Sequence, residues 1–442
     1  MPARLTVTPA VELIDTPRVF TLDGFHPHSR VTLTVTSRQL DGQRWRSLNT
    51  YVADATGAVD VSRQAPEPGG YGIADGQGPI WSQTVAQADD IEEGDAAQLP
   101  APDGAAGAIL AIASASDAHG NHARAVFEQR HASAGVTRHA LDEDGLIGVL
   151  FTPAGPGPHP AIVVLNGSGG GINEARAALF ASHGYAALAL GYFGAPGLPD
   201  YLSEIPLEYF ERALRWLRAT IKPAGDFVAI SGHSRGGELA LLLGSRYPQA
   251  VSAVIAYVPS SVVHGVLNAG KPGAGRFGAA WTQAGKPLAH VWEGNPAQNW
   301  HVVDSLPEPR RQAQVFVNAH QDAAAVARAR IPVERIAGPV LVLSAGDDGY
   351  WPSTHYAGEV AQALKAAHHP HAVEHLDYPR AGHALQAPGV PTTQISRPHA
   401  VSGIVLTGGG DAAANARANA DSWAAVQRFL ASAVAQRAEL AA

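Results

Sequence analysis

Val228-Ala229-Ile230-Ser231-Gly232-His233-Ser234-Arg235-Gly236-Gly237, continued by Glu238-Leu239-Ala240-Leu241-Leu242-Leu243, is the stretch on which the fold turns. A short apolar run reads as a strand, Gly-x-Ser-x-Gly as a sharp turn, and the leucines beyond it as one side of a helix. This is the strand-turn-helix setting of a nucleophile elbow. Gly232 and Gly236 carry no β-carbon to obstruct strand, helix or ligand, which leaves the Ser234 hydroxyl exposed at the tip of the turn. The helix that opens after it directs backbone NH groups toward the place where an oxyanion would form. Ser234 is the candidate nucleophile.

Outward from the elbow, strands alternate with helices. Leu146 to Phe151, Ala161 to Leu165, Ala186 to Leu190, Val254 to Val258, Val340 to Ser344 and Val373 to Tyr378 read as strands. Helices are expected over Glu174 to Ser182, Leu207 to Ala219, Tyr356 to Ala367 and Asp421 to Arg437. Such alternation predicts an α/β fold, a mostly parallel sheet with helices on both faces. With the elbow in place, the class is the α/β-hydrolase fold. Residues 259 to 339, rich in Gly, Pro, Trp and polar residues, break the alternation and read as a cap-like insertion over the active site.

A serine hydroxyl is a poor nucleophile at neutral pH and needs a base, which in turn needs an orienting carboxylate. In the α/β-hydrolase order these follow as serine, acid, histidine. Val340 to Ser344 runs into Ala345-Gly346-Asp347-Asp348-Gly349, which puts two carboxylates at the C-terminal edge of a strand, and one of them is the expected acid. His383 lies in the loop after the last strand, on the same edge, and is the expected base. His368, His369, His371 and His375 lie near a helix end and the start of a strand, where packing or solvated roles are expected. His233 reads as a packing neighbour of the serine. For the oxyanion hole, the Arg235 backbone NH is one donor; Gly167 or Ser168, in the glycine-rich loop Asn166 to Gly171, is the other. A P-loop reading of that loop fails for want of the Lys-Ser/Thr ending.

The first 137 residues follow a different grammar. Val31, Leu33 and Val35 alternate with threonines, Asp41-Gly42 suits a tight turn, and Ala108 to Ala113 and Ala123 to Glu128 flank the turn region Asp117 to Asn121. An all-β sandwich domain over 1–137, ahead of a catalytic domain over 138–442, is the expected organisation. Pro66 to Gly70 and the acidic stretch Glu92 to Gly104 read as exposed loops. His119 and His122 flank a turn with no evident third ligand and read as exposed loop histidines, so no metal is expected.

At 442 residues with 46% apolar content the chain can bury two cores. A net charge of −8 with 16% charged residues gives no basic surface on the scale nucleic acid requires. Met1 to Pro9 lacks the apolar core of a secretory signal and no stretch reaches the length of a membrane span, so a cytoplasmic protein is expected. The absence of cysteine removes disulfides, thiolate metal sites and a cysteine nucleophile together. No cofactor is expected, and oligomeric state is not legible.

The motifs together resemble a family, the acyl-CoA thioesterases grouped with bile acid-CoA:amino acid N-acyltransferase. The likeness runs through the glycine-rich loop, Leu207 to Glu211, Gly232 to Leu239, Ile331 to Glu334, Asp347-Asp348 with Trp351, Tyr378-Pro379 through Gly382-His383, and Gly408-Gly409 before the terminal helix. It covers most of residues 140 to 435. The resemblance implies an immunoglobulin-like N-terminal sandwich, nucleophile Ser234, acid Asp348 and base His383. It also implies acyl-CoA thioester hydrolysis to free acid and CoA through an acyl-enzyme. A carboxylic ester hydrolase of the dienelactone-hydrolase kind, an N-acyltransferase and an inactive binding protein are the competing readings. The N-acyltransferase branch uses a cysteine where this chain has Ser234. Lys271, Arg276 and Lys286 in the cap segment read as solvated charges rather than CoA phosphate ligands.

Overall fold

Residues 161–165, 186–190 and 253–257 are apolar at every position, and such runs are stable as strands covered on both faces. Each is a strand buried along its whole length. They belong to an eight-stranded sheet in the order Thr137–Glu143, Leu146–Thr152, Ala186–Leu190, Ala161–Leu165, Val228–His233, Ala253–Tyr257, Val340–Ala345, Val373–Tyr378. From Ala186–Leu190 to the last strand every pairing is parallel, and the first two pairings are antiparallel. The chain is an α/β-hydrolase fold. Strand Thr137–Glu143 escapes a sequence reading because it is an edge strand, exposed at all positions but Leu141.

The computed structural model describes residues 2–87, 99–273 and 275–441, and contacts divide the chain into two units. The larger comprises residues 134–385, 395–411 and 421–442, and the smaller residues 1–133, 386–394 and 412–420. Two short pieces of the last sixty residues thus pack with the N-terminal unit. Within that unit, the Thr392 amide donates to the Trp81 carbonyl at 3.0 Å. Of the expected loop Glu92 to Gly104, residues 92–98 lie outside the described residues.

In the larger unit, helix Leu207–Ile221 buries Leu207, Phe210, Ala213, Leu214 and Leu217, the spacing of one helical face. It ends at Lys222 in the left-handed region, φ 49°, whose amide reaches back to the Arg218 carbonyl. Residues 259–339 hold short helices, among them His301–Asp304, Ala313–Ala319 and Ala323–Ala329. Trp292, Trp300 and Phe316 from this segment form a buried apolar cluster with Trp351 and Tyr356. The tryptophans that spoil the sequence periodicity are therefore a small core. No helix among the described residues is long and apolar enough to cross a membrane.

The smaller unit pairs a six-stranded sheet, which includes Arg30–Arg38, Arg44–Val52, Ile109–Asp117 and His122–Arg130, with a three-stranded one. Leu5, Val7, Phe20 and Leu22 of the smaller sheet share one buried cluster with Val31, Leu33, Val35 and Phe127 of the larger. Alternate residues of Arg4–Thr8 and Val19–Asp23 supply these contacts, as a two-residue period requires. His119, in the turn after Ile109–Asp117, stacks on His26 with ring centroids 3.9 Å apart.

Candidate active site

Ser234 ends the Val228–His233 strand and caps helix Arg235–Arg246 with φ 59° and ψ −120°. A non-glycine residue there stores strain of about 1–3 kcal/mol, held in place by the packing around it. That packing explains the glycines. A β-carbon at Gly232 would lie 1.9 Å from the Gly236 carbonyl oxygen, and one at Gly236 2.4 Å from the Asn166 carbonyl oxygen. The helix start is thereby pressed against both its own strand and the glycine-rich loop.

Above this turn the structure brings together the three residues the sequence pairs with one another. His383 Nε2 lies 2.7 Å from Ser234 Oγ, and His383 Nδ1 lies 2.8 and 2.9 Å from the two carboxylate oxygens of Asp348. All three side chains are buried. Asp348 also accepts the Tyr350 amide at 2.8 Å and the Trp351 amide at 3.3 Å. The His383 amide donates to the Gly408 carbonyl, and the ring of Tyr350 stacks on the imidazole, centroids 4.4 Å apart. His383 is thus held from its backbone, from one ring edge and from one ring face.

Asp347 has different partners. It accepts Arg311 Nη2 at 2.8 Å and the Gly410 amide at 2.7 Å, and so fastens the 408–410 loop. His233 Nε2 donates to the His383 carbonyl at 2.9 Å. Burial, with the nearby His383 a smaller cause, pushes the His233 imidazole well below its ordinary range, so it packs as a neutral ring against the His383 backbone. Of the other histidines near the last strand, His369 meets the Gly338 carbonyl and the ring of His371, and His375 meets Ser344.

Arg235 follows the serine at the helix start, where backbone NH groups have no intrahelical acceptor. Its side chain turns into the protein instead of toward solvent. It pairs with Glu238 at 2.9 Å and donates to the His264 and Gly265 carbonyls at 3.2 and 2.7 Å. Burial pushes the Glu238 carboxyl up, opposed chiefly by Arg235, and Trp281 donates to the same carboxylate at 3.1 Å. Removing one member of such a buried pair typically costs about 3–5 kcal/mol. The pair ties residues 264–265 to the elbow helix.

Across the cavity, Gly167 lies so close that a β-carbon on it would be 3.4 Å from Ser234 Cβ. The next residue, Ser168, meets a side chain that the sequence does not single out. His399 Nε2 lies 3.0 Å from Ser168 Oγ, while its Nδ1 faces the amides of Val401 and Ser402 at 3.3 and 3.4 Å. Two amide donors assign Nδ1 as the acceptor, so Nε2 carries the proton and donates to Ser168. The Ser168 hydroxyl keeps its own proton to give. Ser168, His399 and Ser234 line one narrow cavity of about 30 Å³, together with Asn268, Phe316 and Tyr350. His399 follows Arg397-Pro398 in a loop without hydrophobic period, and only its imidazole would have drawn attention to it. Of the cations in the 259–339 segment, Arg276 is paired with Asp304 at 2.6 and 2.8 Å, and Lys271 and Lys286 are exposed.

Two family models match the chain. The one described as BAAT / Acyl-CoA thioester hydrolase C terminal covers residues 205–436, and the Acyl-CoA thioester hydrolase/BAAT N-terminal region covers residues 15–143. The chain is 30% identical to acyl-coenzyme A thioesterase 1 of Rattus norvegicus, over 97% of its own length and 96% of the relative's. It is likewise 30% identical to acyl-coenzyme A thioesterase 6 of Mus musculus, with 97% and 96% covered. Identity to the rat protein named acyl-coenzyme A thioesterase 2, mitochondrial, is 29%, with 94% and 86% covered.

Proposed function

The chain belongs to the acyl-CoA thioester hydrolase/BAAT family, and on that footing we propose that it hydrolyses acyl-CoA thioesters through an acyl-enzyme on Ser234. The observation that carries this reading is the buried hydrogen-bonded line from Asp348 through His383 to Ser234, each link under 3 Å. His383 takes the serine proton as Oγ attacks the thioester carbonyl, and Asp348 holds the imidazole in the tautomer that leaves Nε2 free to accept. The tetrahedral oxyanion forms beside the helix start, where the Arg235 amide donates, with Gly167 or Ser168 as the second backbone donor. In addition, the Ser168 hydroxyl, oriented by His399, gives its proton into the same cavity. CoA leaves as a thiol with a pKa of roughly 8.5, so its departure needs little help from a general acid. His383 then activates water, and the ester on Ser234 breaks to release the carboxylic acid and regenerate the hydroxyl.

Hydrolysis rather than transfer to an amino acid follows from the nucleophile. The chain has Ser234 at that position and no cysteine anywhere, and an oxygen ester is less reactive toward amines than a thioester. A panel of acyl-CoAs of graded chain length, run against simple esters of the same acids, tests the assignment. The thioesters are expected to be turned over with the higher kcat/KM at the preferred length. Equal or better turnover of the esters throughout would replace the thioesterase reading by an esterase one.

A further inference from the structure

Apart from the Ser234 cavity, one cluster among the described residues brings several metal-ligating side chains together. His320 Nε2 lies 2.9 Å from Glu359 Oε1, and His355 Nε2 lies 3.4 Å from the same oxygen. The donor atoms of all three residues fall within 4.8 Å of one another. We propose that His320, His355 and Glu359 form a binding site for a divalent transition-metal ion, with Zn²⁺ the best match.

The donor spacing is close to what such an ion requires. Zinc binds imidazole nitrogen at about 2.0–2.1 Å and carboxylate oxygen at about 2.0–2.2 Å, so tetrahedral donors stand roughly 3.3 Å apart. The two nitrogen-to-Oε1 separations, 2.9 and 3.4 Å, bracket that value, and the two ring nitrogens lie within 4.8 Å of each other. His355 and Glu359 are four residues apart on helix Ser353–Ala366, which places them one above the other on a single face. His320 reaches them from the end of helix Ala313–Ala319. The two imidazoles stand at 88° to each other, centroids 5.0 Å apart, so both edges can address one point.

The carboxylate is also held from behind. Ser261 Oγ donates to Glu359 Oε2 at 2.6 Å; His320 Nε2 stands 2.9 Å from Oε1 and 3.0 Å from Oε2, and Oε1 is the oxygen near both histidines. Outer hydrogen bonds of this kind orient metal ligands and raise their affinity. Burial decreases across the cluster, with side-chain exposure of 10% for His320, 35% for Glu359 and 55% for His355. One side is therefore open for the ion to enter and for water to complete the coordination. Two imidazoles with a single carboxylate favour zinc, cobalt, nickel or copper over magnesium and calcium, which require more oxygen ligands.

The position gives the ion a structural task. His320 belongs to the cap segment, just beyond the helix whose Phe316 lines the Ser234 cavity, and helix Ser353–Ala366 follows closely after Asp348. An ion shared between them clips the cap segment to the sheet domain independently of the chemistry at Ser234. Because the ligands are pre-assembled only in the folded chain, binding raises folding stability.

The test uses the full, tag-free chain stripped with a chelator and titrated with Co²⁺ and with Zn²⁺. Expected are the visible d–d bands of four- or five-coordinate Co²⁺, reaching a plateau at one equivalent and bleached by Zn²⁺, together with a rise in the thermal midpoint. His355→Gln removes the most exposed ligand and His320→Gln a second; each is expected to weaken Co²⁺ binding tenfold or more and to abolish the midpoint rise. Wild-type rates of acyl-CoA hydrolysis without metal show that the His355 variant is folded. Absence of the bands from the wild-type chain, or bands and a midpoint rise that survive in both variants, overturns the site.

Discussion

The carboxylate of Asp348 lies 2.8 Å from Nδ1 of His383, whereas that of Asp347, its neighbour in sequence, is turned to Arg311 and the Gly410 amide. Adjacent positions in one loop thus have separate duties, and the two should respond differently to the same change. Asp348→Asn leaves the imidazole without its orienting acceptor, and comparable triads lose on the order of 10⁴ in kcat from this change. A loss approaching that size is expected, with KM little altered. Asp347→Asn loosens the 408–410 loop and should cost about tenfold, consistent with a lost charge-assisted hydrogen bond of about 1.5 kcal/mol. Steady-state kinetics on one acyl-CoA would compare them, and a severe Asp347→Asn beside a near-normal Asp348→Asn would reverse the roles.

The contact between His399 and Ser168 makes a separate prediction. With the imidazole donating from Nε2, the serine hydroxyl acts as a donor to the developing oxyanion, and removal of such a donor costs roughly 10²–10³ in kcat. As a supplement to two backbone amides, it should stand at the lower end of that range. Ser168→Ala and His399→Leu should give similar losses in kcat, while His399→Gln, whose amide can still donate, keeps more of the rate. Losses confined to KM would instead make the pair a substrate-binding contact.

Acid should weaken the fold through its buried histidines. Burial, with smaller contributions from Arg397 and Arg235, pushes His399 down to about 4. The imidazole of an unfolded chain titrates near 6.5, so between these values the unfolded state holds the extra proton, and stability falls as pH drops through that window. At pH 5 the share of His399 is on the order of 2 kcal/mol. His233 and His264, also displaced downward by burial, act in the same direction. Denaturant unfolding at pH 7.5 and pH 5 should show a smaller acid loss in His399→Gln than in the wild type, by about that amount. Equal losses would mean that His399 takes up its proton without unfolding.

Much of the sheet domain was legible because its signals are local. Strands Ala161–Leu165, Ala186–Leu190 and Val373–Tyr378 and helix Glu174–Ser182 have the expected ends, since each is a short run bounded by turn residues. Helix Ala412–Ala441 begins nine residues before the expected Asp421, because Ala412 to Ala420 is rich in Ala and Asn and has no apolar stripe. Ser234 is marked by its glycines, which are needed where backbones nearly touch. Asp347 and Asp348 could not be separated by position alone, since the choice depends on which way each side chain leaves the loop. His399 was out of reach: it meets Ser168 across 231 residues, through a contact that no period records. His320 and Glu359 were hidden in the same way, although His355 and Glu359 share a helix face.

The central claim is that Ser234 is the nucleophile, and covalent labelling addresses it most directly. The full chain treated with a fluorophosphonate should gain one adduct per chain by intact mass, mapped to the peptide containing Ser234, and acyl-CoA hydrolysis should fall in proportion to labelling. The Ser234→Ala chain should neither label nor turn over substrate above a residual rate. An adduct on another residue, or hydrolysis that persists at the wild-type rate in Ser234→Ala, would contradict the account.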